Sequence, residues 1–132
     1  ATIEAALDEE AITAMAPASL DRVVTNLIEN GLRYGPEGQM VRVALAQDSG
    51  GLRIEVDDQG PGVAISERSR VWEPFARGGA ARNGGASGVG LGLAIVRHLV
   101  ESAGGSVSID DSPTGGARFG VTLPSPSDRV TM

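Results

Sequence analysis

The sequence predicts an α/β fold: a two-layer sandwich in which a mixed sheet of about five strands carries helices on one face. Three observations predict it. Short segments with an apolar residue at every second position occur in pairs, Val41-Val43-Leu45 with Leu52-Ile54-Val56 and Val107-Ile109 with Phe119-Val121-Leu123. Two longer segments, about 18–33 and 90–103, carry apolar residues at helical spacing. The order in which strands and helices alternate suits helices stacked on a single sheet.

Taken in order, Ile3 to Leu7 alternates weakly and is expected as a first strand, and Ala11 to Met15 is a second candidate, ended by Pro17. From about Ala18 to Arg33, Leu20, Val23, Val24, Leu27, Ile28 and Gly31 recur at i, i+3, i+4. Pro17 and Gly35-Pro36 are the punctuation expected at the two ends of that helix. Asp48-Ser49-Gly50-Gly51 joins the next two strands as a hairpin. A short helix is expected around Glu67–Val71, followed by Trp72-Glu73-Pro74-Phe75, with Trp72 and Phe75 anchored in the core. The second helix is apolar nearly all round and should pack deeply. Pro113-Thr114-Gly115-Gly116 turns a closing hairpin, and 125–132 forms a loose tail after a domain spanning 1–124.

The 132 residues suffice for one domain that buries roughly two thirds of its unfolded surface. A net charge of -6 disfavours nucleic acid as the principal partner. Without cysteine there is neither a disulfide nor a cysteine-based metal site or nucleophile. No apolar run reaches the roughly 18 residues of a membrane span, so direct membrane contact is not expected. The chain opens at Ala1 inside a strand-like stretch and is expected to be a fragment of a longer protein. All eleven basic residues are arginine. That excludes a Walker A loop and the strand lysine of eukaryotic-type protein kinases.

Asp58 is the residue most out of place. Period-2 alternation puts Leu52, Ile54, Val56 and Asp58 on the inward face of one strand, with Arg53, Glu55 and Asp57 outward. A carboxylate aimed at a core is disfavoured by several kcal/mol, on the order of the cost of a buried ion, unless donors meet it. Gln59-Gly60-Pro61-Gly62 then lets the backbone turn tightly beside it. An inward acid at a strand end beside glycines points to a ligand site.

On the first helix Asn26, Asn30 and Arg33 form a polar stripe apart from the apolar one, with Tyr34 between the two. Amide oxygens suit Mg2+, a guanidinium suits phosphate, and a phenol can lie on a base. The alternative is that these amides are simply solvated. Seven glycines fall between Gly78 and Gly92, with Gly88, Gly90 and Gly92 spaced alternately where the second helix begins. Free backbone amides and a helix N-terminus make a phosphate cradle there. The alternative is a flexible linker. Because Leu93 stands where a third glycine would be, a dinucleotide fingerprint is not met. Arg77 and Arg82 border or lie within this stretch and either reach a terminal phosphate or are solvated. His98, the single histidine, has no acidic neighbour and is expected to be a partly exposed helix residue.

Together these segments resemble the catalytic ATP-binding domain of sensor histidine kinases, within the gyrase–Hsp90–histidine kinase–MutL superfamily. Asn26-Leu27-Ile28-Glu29-Asn30-Gly31-Leu32-Arg33-Tyr34 resembles its asparagine box, and Asp58-Gln59-Gly60-Pro61-Gly62 its first glycine box. Trp72-Glu73-Pro74-Phe75-Ala76-Arg77 is similar to the phenylalanine box, and Gly88-Val89-Gly90-Leu91-Gly92-Leu93 to the second glycine box. Gly104-Gly105 and Gly116-Ala117-Arg118-Phe119 resemble the closing hairpin.

The resemblance implies a Bergerat-type ATP-binding fold, with ATP and Mg2+ between the helices under a lid of about residues 76–89. It implies that Asp58 accepts from the adenine amino group beside Gly60 and Gly62, that Asn30 coordinates Mg2+, and that Asn26 supports that metal. Arg33 and Arg77 would approach phosphate, Tyr34 the adenine or ribose, and Gly88, Val89, Gly90, Leu91 and Gly92 would line the phosphates. Gly31 stands where the family often has Ala, and Ala103 where it often has His.

The ATPase branches place a glutamate base where Asn26 stands, and Asn26 cannot take a proton as a carboxylate can. Glu29 lies about 100° around the helix from Asn30. Phosphotransfer to a histidine is therefore expected rather than hydrolysis, with Asn30, Arg33 and Asn26 as the catalytic set. The acceptor is expected on a dimerisation helix of the parent, which would pass the phosphate to a response regulator. By the same resemblance the fragment is monomeric and cytoplasmic, and the parent is a homodimer anchored in the bacterial membrane. The alternative is an anti-sigma-factor serine kinase of the same superfamily.

Overall fold

The computed structural model describes residues 2–7, 15–48, 51–74 and 91–124. The strand candidate at 11–14, the lid at about 76–89 and the tail at 125–132 lie outside them, as do Phe75, Arg77, Arg82, Gly88, Val89 and Gly90. Met15, the last residue of that strand candidate, is in a bend and buried.

Five strands, β1 (Thr2–Leu7), β2 (Met40–Asp48), β3 (Gly51–Asp57), β4 (Ser106–Asp111) and β5 (Ala117–Leu123), form one sheet in the order β1-β2-β3-β5-β4. β1 runs parallel to β2 and the other neighbours are antiparallel, so the sheet is mixed, as expected. Val43 pairs with Val56, Ile54 with Val121 and Ile109 with Phe119, which gathers the apolar positions of four strands on one face. Two helices cover that face, α1 (Pro17–Tyr34) and α2 (Gly92–Ser102). Pro17 opens α1 where a missing N–H has no consequence, and Arg33 sits favourably in its last turn.

Val23 and Leu27 from α1 and Val96 and Val100 from α2 meet Val41, Ile54, Val56, Phe119 and Val121 in the core. Trp72 closes one side with its ring edge-on to Phe119, centroids 5.8 Å apart. Such a pair adds about 1 kcal/mol beyond the area it buries.

Two expectations need correction. The short helix around Glu67–Val71 is instead two 3-10 turns, Ile65–Glu67 and Arg70–Trp72. Between them Arg68 donates to the carbonyls of Val63 and Ile109 and to Asp111, which holds the segment against β4 and keeps it in tight i+3 turns. The second helix is also less enclosed than its composition suggests. Only Val96 and Val100 are fully buried, because α2 rests on α1, β4 and β5 along one side while Leu93, Ile95 and Leu99 stay half-exposed. His98 is exposed, as expected.

Gly31 lies inside α1 without need of being glycine. A Cβ there would stand 3.4 Å from Asp58 Cβ and 3.5 Å from a Val41 methyl, ordinary contact distances. Gly31→Ala is expected to stabilise the domain by up to about 1 kcal/mol through helix propensity. Urea unfolding should show a higher midpoint at unchanged slope.

Candidate functional site

β3 is the central strand, and its end delivers Asp58 beneath the C-terminal half of α1. The strand itself stops at Asp57, one residue earlier than the alternation implied, although Asp58 N–H still donates to the Ala117 carbonyl at 3.0 Å. Asp58 is 2% exposed. Its Oδ1 accepts from Gly60 N–H at 2.9 Å and Ala117 N–H at 3.1 Å. Among the described residues no hydrogen bond reaches Oδ2. Oδ1 is therefore fixed by the backbone. Thr114 Oγ1 donates to the Asp58 carbonyl, binding the β4–β5 turn to the same point.

Asp57 behaves differently. It faces outward, as the alternation requires, yet it is only 3% exposed. Arg118, its register partner on β5, forks onto both carboxylate oxygens at 2.8 and 2.9 Å. That hydrogen bond raises the Arg118 guanidinium above its ordinary value, against the opposing effect of burial. Arg118 therefore stays charged at neutral pH, and on the alkaline side its contribution to the fold is lost only in strongly alkaline solution. Asp57 is thus a structural anion.

The polar stripe of α1 opens onto a cavity of about 200 Å³ lined by Asn26, Glu29, Asn30, Arg33, Leu91, Gly92 and Leu93. The structure therefore brings the three stripe residues together with the start of α2. Asn26 Nδ2 donates to the Gly92 carbonyl at 3.1 Å, so this amide ties the two helices. Asn30 is 7% exposed, whereas Arg33 is exposed at the rim. The N-terminus of α2 adds amide groups whose hydrogen-bond needs the helix itself does not meet. Glu29 also lines this cavity: it lies about 100° around the helix from Asn30 but only about 60° from Asn26 and about 40° from Arg33.

A second cavity, of about 510 Å³, is lined by Pro61, Gly62, Val63, Arg68, Ser112 and Gly116 among others. Gly60 N–H donates to the acid. Tyr34 ends α1 half-buried, its carbonyl 3.0 Å from where a Gly60 Cβ would stand. An apolar groove of about 420 Å³ between β1, β2 and α1, lined by Ile3, Leu20, Val24 and Leu45, carries none of these polar groups.

Asp58 thus lies against Gly31, one residue after Asn30, and the amide stripe of α1 faces the N-terminus of α2. Over residues 15–127 the chain matches the family described as histidine kinase-, DNA gyrase B-, and HSP90-like ATPase. The chain belongs to that family. It is similar to the sensor histidine kinase CpxA of Escherichia coli, 40% identical over 108 residues, which are 82% of this chain and 23% of that protein. The fold is similar to the crystal structure of the ATP binding domain of PrrB from Mycobacterium tuberculosis, with a TM-score of 0.72 and 32% identity. That likeness covers 94% of this chain and 81% of the other. The mycobacterial sensor histidine kinase MprB gives a TM-score of 0.77 at 34% identity over 92% of this chain and 83% of its own. The chain spans less than a quarter of the length of CpxA. Among the described residues no helix is long and apolar enough to cross a membrane.

Sequence reasoning overlooked Gln39 and the close approach of Thr114 and Gly116 to Asp58. Gln39 is buried, yet it stands in a polar turn where nothing local marks it. Thr114 and Gly116 were read only as turn formers. Their contact with Asp58 joins positions far apart in the chain.

Proposed function

We propose that this domain binds ATP with Mg2+ between α1 and α2 and transfers the γ-phosphate to a histidine on a dimerisation helix of its parent protein. The observation that carries the reading is Asp58, buried, with Oδ1 held by two backbone amides and Oδ2 open. Such an oxygen suits an exocyclic amino donor, and a 6-aminopurine supplies one. Tyr34 and Gly62 flank it as candidate contacts for the base.

The donor set near the polyphosphate fits Mg2+. Among the described residues no group of three His, Cys, Asp or Glu side chains could hold a metal. A hard cation would therefore rest on the amide oxygens of Asn30 and Asn26 together with phosphate oxygens, as small octahedral ions commonly do. When bound, Mg2+ neutralises phosphate charge. Arg33 at the rim adds a fixed positive charge, and the N-terminal amides of α2 at Leu91 and Gly92 orient the phosphate oxygens. Gly88, Val89, Gly90 and Arg77, which lie outside the described residues, are further candidates for phosphate contact by the family resemblance alone. Catalysis is then positioning and charge stabilisation. The acceptor imidazole attacks phosphorus, the bond to the ADP oxygen breaks, and no side chain need deprotonate water. Asn26 stands where a hydrolase needs a carboxylate, and Glu29 at the rim leaves water activation as the reading to exclude. The relatives named above are sensor kinases, which favours this function over an anti-sigma-factor serine kinase. By the same reading, the parent works as a membrane-anchored homodimer that passes phosphate to a response regulator on the cytoplasmic side.

The test is titration calorimetry with a non-hydrolysable ATP analogue, with and without Mg2+, on the wild type and Asn30→Ala. The wild type should bind more tightly with Mg2+, and Asn30→Ala should retain only the metal-independent part, a loss of about tenfold or more. Equal gains from Mg2+ in both proteins would remove Asn30 from the metal site. With labelled ATP the chain alone should acquire no label, and it should label added upstream helices. Rapid phosphate release instead would favour hydrolysis.

A further inference from the structure

We propose that Gln39 is a positioning residue of the nucleotide site: its side-chain amide sets the spacing between the helix carrying Asn30 and Tyr34 and the loop carrying Asp58. The inference rests on the adenine reading of Asp58. Gln39 is 2% exposed, in the connection between α1 and β2. Its Nε2 donates to the Gly31 carbonyl at 2.7 Å. Its Oε1 accepts from the Gln59 N–H at 3.0 Å. Gly31 is the residue after Asn30, and Gln59 the residue after Asp58. One planar amide thus spans from the metal-binding side of the site to the base-binding side, one peptide away from each.

The link is reinforced from the opposite direction. Gln59 Oε1 accepts from Met40 N–H at 2.8 Å, so the two glutamines each hold the other's strand of chain. Gly35 provides the room: a Cβ there would overlap the Gln39 amide. The Gly31 carbonyl also receives Gly35 N–H, but at 3.3 Å, so Gln39 supplies the shorter of its two bonds. A buried amide is unfavourable unless both its ends are used, and here they are. An apolar side chain of similar size would fill the space equally well, but it would leave the acid's loop and the asparagine helix joined by packing alone. Packing fixes such a distance less sharply than a two-ended hydrogen bond.

The experiment measures affinity for an ATP analogue and a GTP analogue in the 132-residue chain, for wild type, Gln39→Ala, Gln39→Glu and Asp58→Asn. Thermal melts establish that each is folded at the temperature used. Gln39→Ala is expected to lose about tenfold in ATP-analogue affinity, with the preference for ATP over GTP narrowed by a similar factor. Gln39→Glu, charged and unable to donate to Gly31, should be equally weak at pH 7. Towards pH 5 it should recover relative to wild type at the same pH, because a protonated carboxyl can donate to Gly31 and accept from Gln59. Folded Gln39 variants with lower melting temperatures but unchanged affinity and preference would overturn the proposal and leave Gln39 a stabilising residue. Should Asp58→Asn also bind like wild type, the adenine assignment itself fails, and the proposal with it. Loss in Asp58→Asn beside normal binding in both Gln39 variants overturns the positioning role alone.

Discussion

Asp58→Asn is expected to lose about a hundredfold or more in affinity for adenine nucleotides while remaining folded. Two backbone amides, of Gly60 and Ala117, converge on Oδ1. In the variant these donors demand that the amide oxygen take the Oδ1 place, which fixes the NH2 group where Oδ2 stood. The purine amino group would then meet a donor rather than an acceptor, inside a site with little water to intervene. A lost charge-assisted hydrogen bond is worth about 1.5–3 kcal/mol, and the mismatched donor left facing the ligand adds to that. Since about 1.4 kcal/mol is tenfold in affinity, a hundredfold loss is the expected scale. The fold should persist because both bonds to Oδ1 survive. Calorimetry on the folded variant decides the matter, and unchanged affinity would remove Asp58 from the base pocket.

Gly116→Ala is expected to impair both stability and binding through a single methyl group. A Cβ at Gly116 would overlap the Asp58 carbonyl oxygen and Oδ1 and would stand 2.7 Å from its carbonyl carbon. Two of these three atoms are backbone, so no side-chain rotation relieves the overlap. Either the β4–β5 turn or the Asp58 segment must move. Movement of the turn breaks Ala117 N–H to Oδ1 and Thr114 Oγ1 to the Asp58 carbonyl. Overpacking of this kind costs about 1–3 kcal/mol, and disturbed hydrogen bonds raise that figure. Denaturant unfolding should show the loss directly. Nucleotide affinity measured well below the unfolding midpoint should fall as well, because the acid is displaced. A variant with normal stability and normal binding would mean the turn yields freely, contrary to the geometry.

The two proposed contact sets differed in how visible they were. Asp58 was legible because a period-2 strand cannot hide an acid on its apolar face, and the glycines beside it announced a turn. Asn26, Asn30 and Arg33 were legible because helical spacing is local, and the cavity they share follows from α1 being a regular helix. Glu29 lines the same cavity because the backbone angle that separates it from Asn30 leaves it close to Asn26 and Arg33. The burial of Asp57 was not legible at all. Its partner Arg118 is brought alongside by strand pairing, and nothing near position 57 records that. The enclosure of α2 was overestimated because apolar composition does not say how much sheet a helix has beneath it.

By itself the sequence determined the period of each element, the face each side chain takes, and which residue types stand at the strand end and along the helix. Those are properties of a few consecutive residues and of backbone geometry. Only the tertiary structure decided that Oδ1 and not Oδ2 of Asp58 is occupied, that Arg118 neutralises Asp57, and that Gln39 joins Gly31 to Gln59. Each of those depends on a donor and an acceptor from distant parts of the chain meeting within about 3 Å, a distance set by the packing of helices on the sheet.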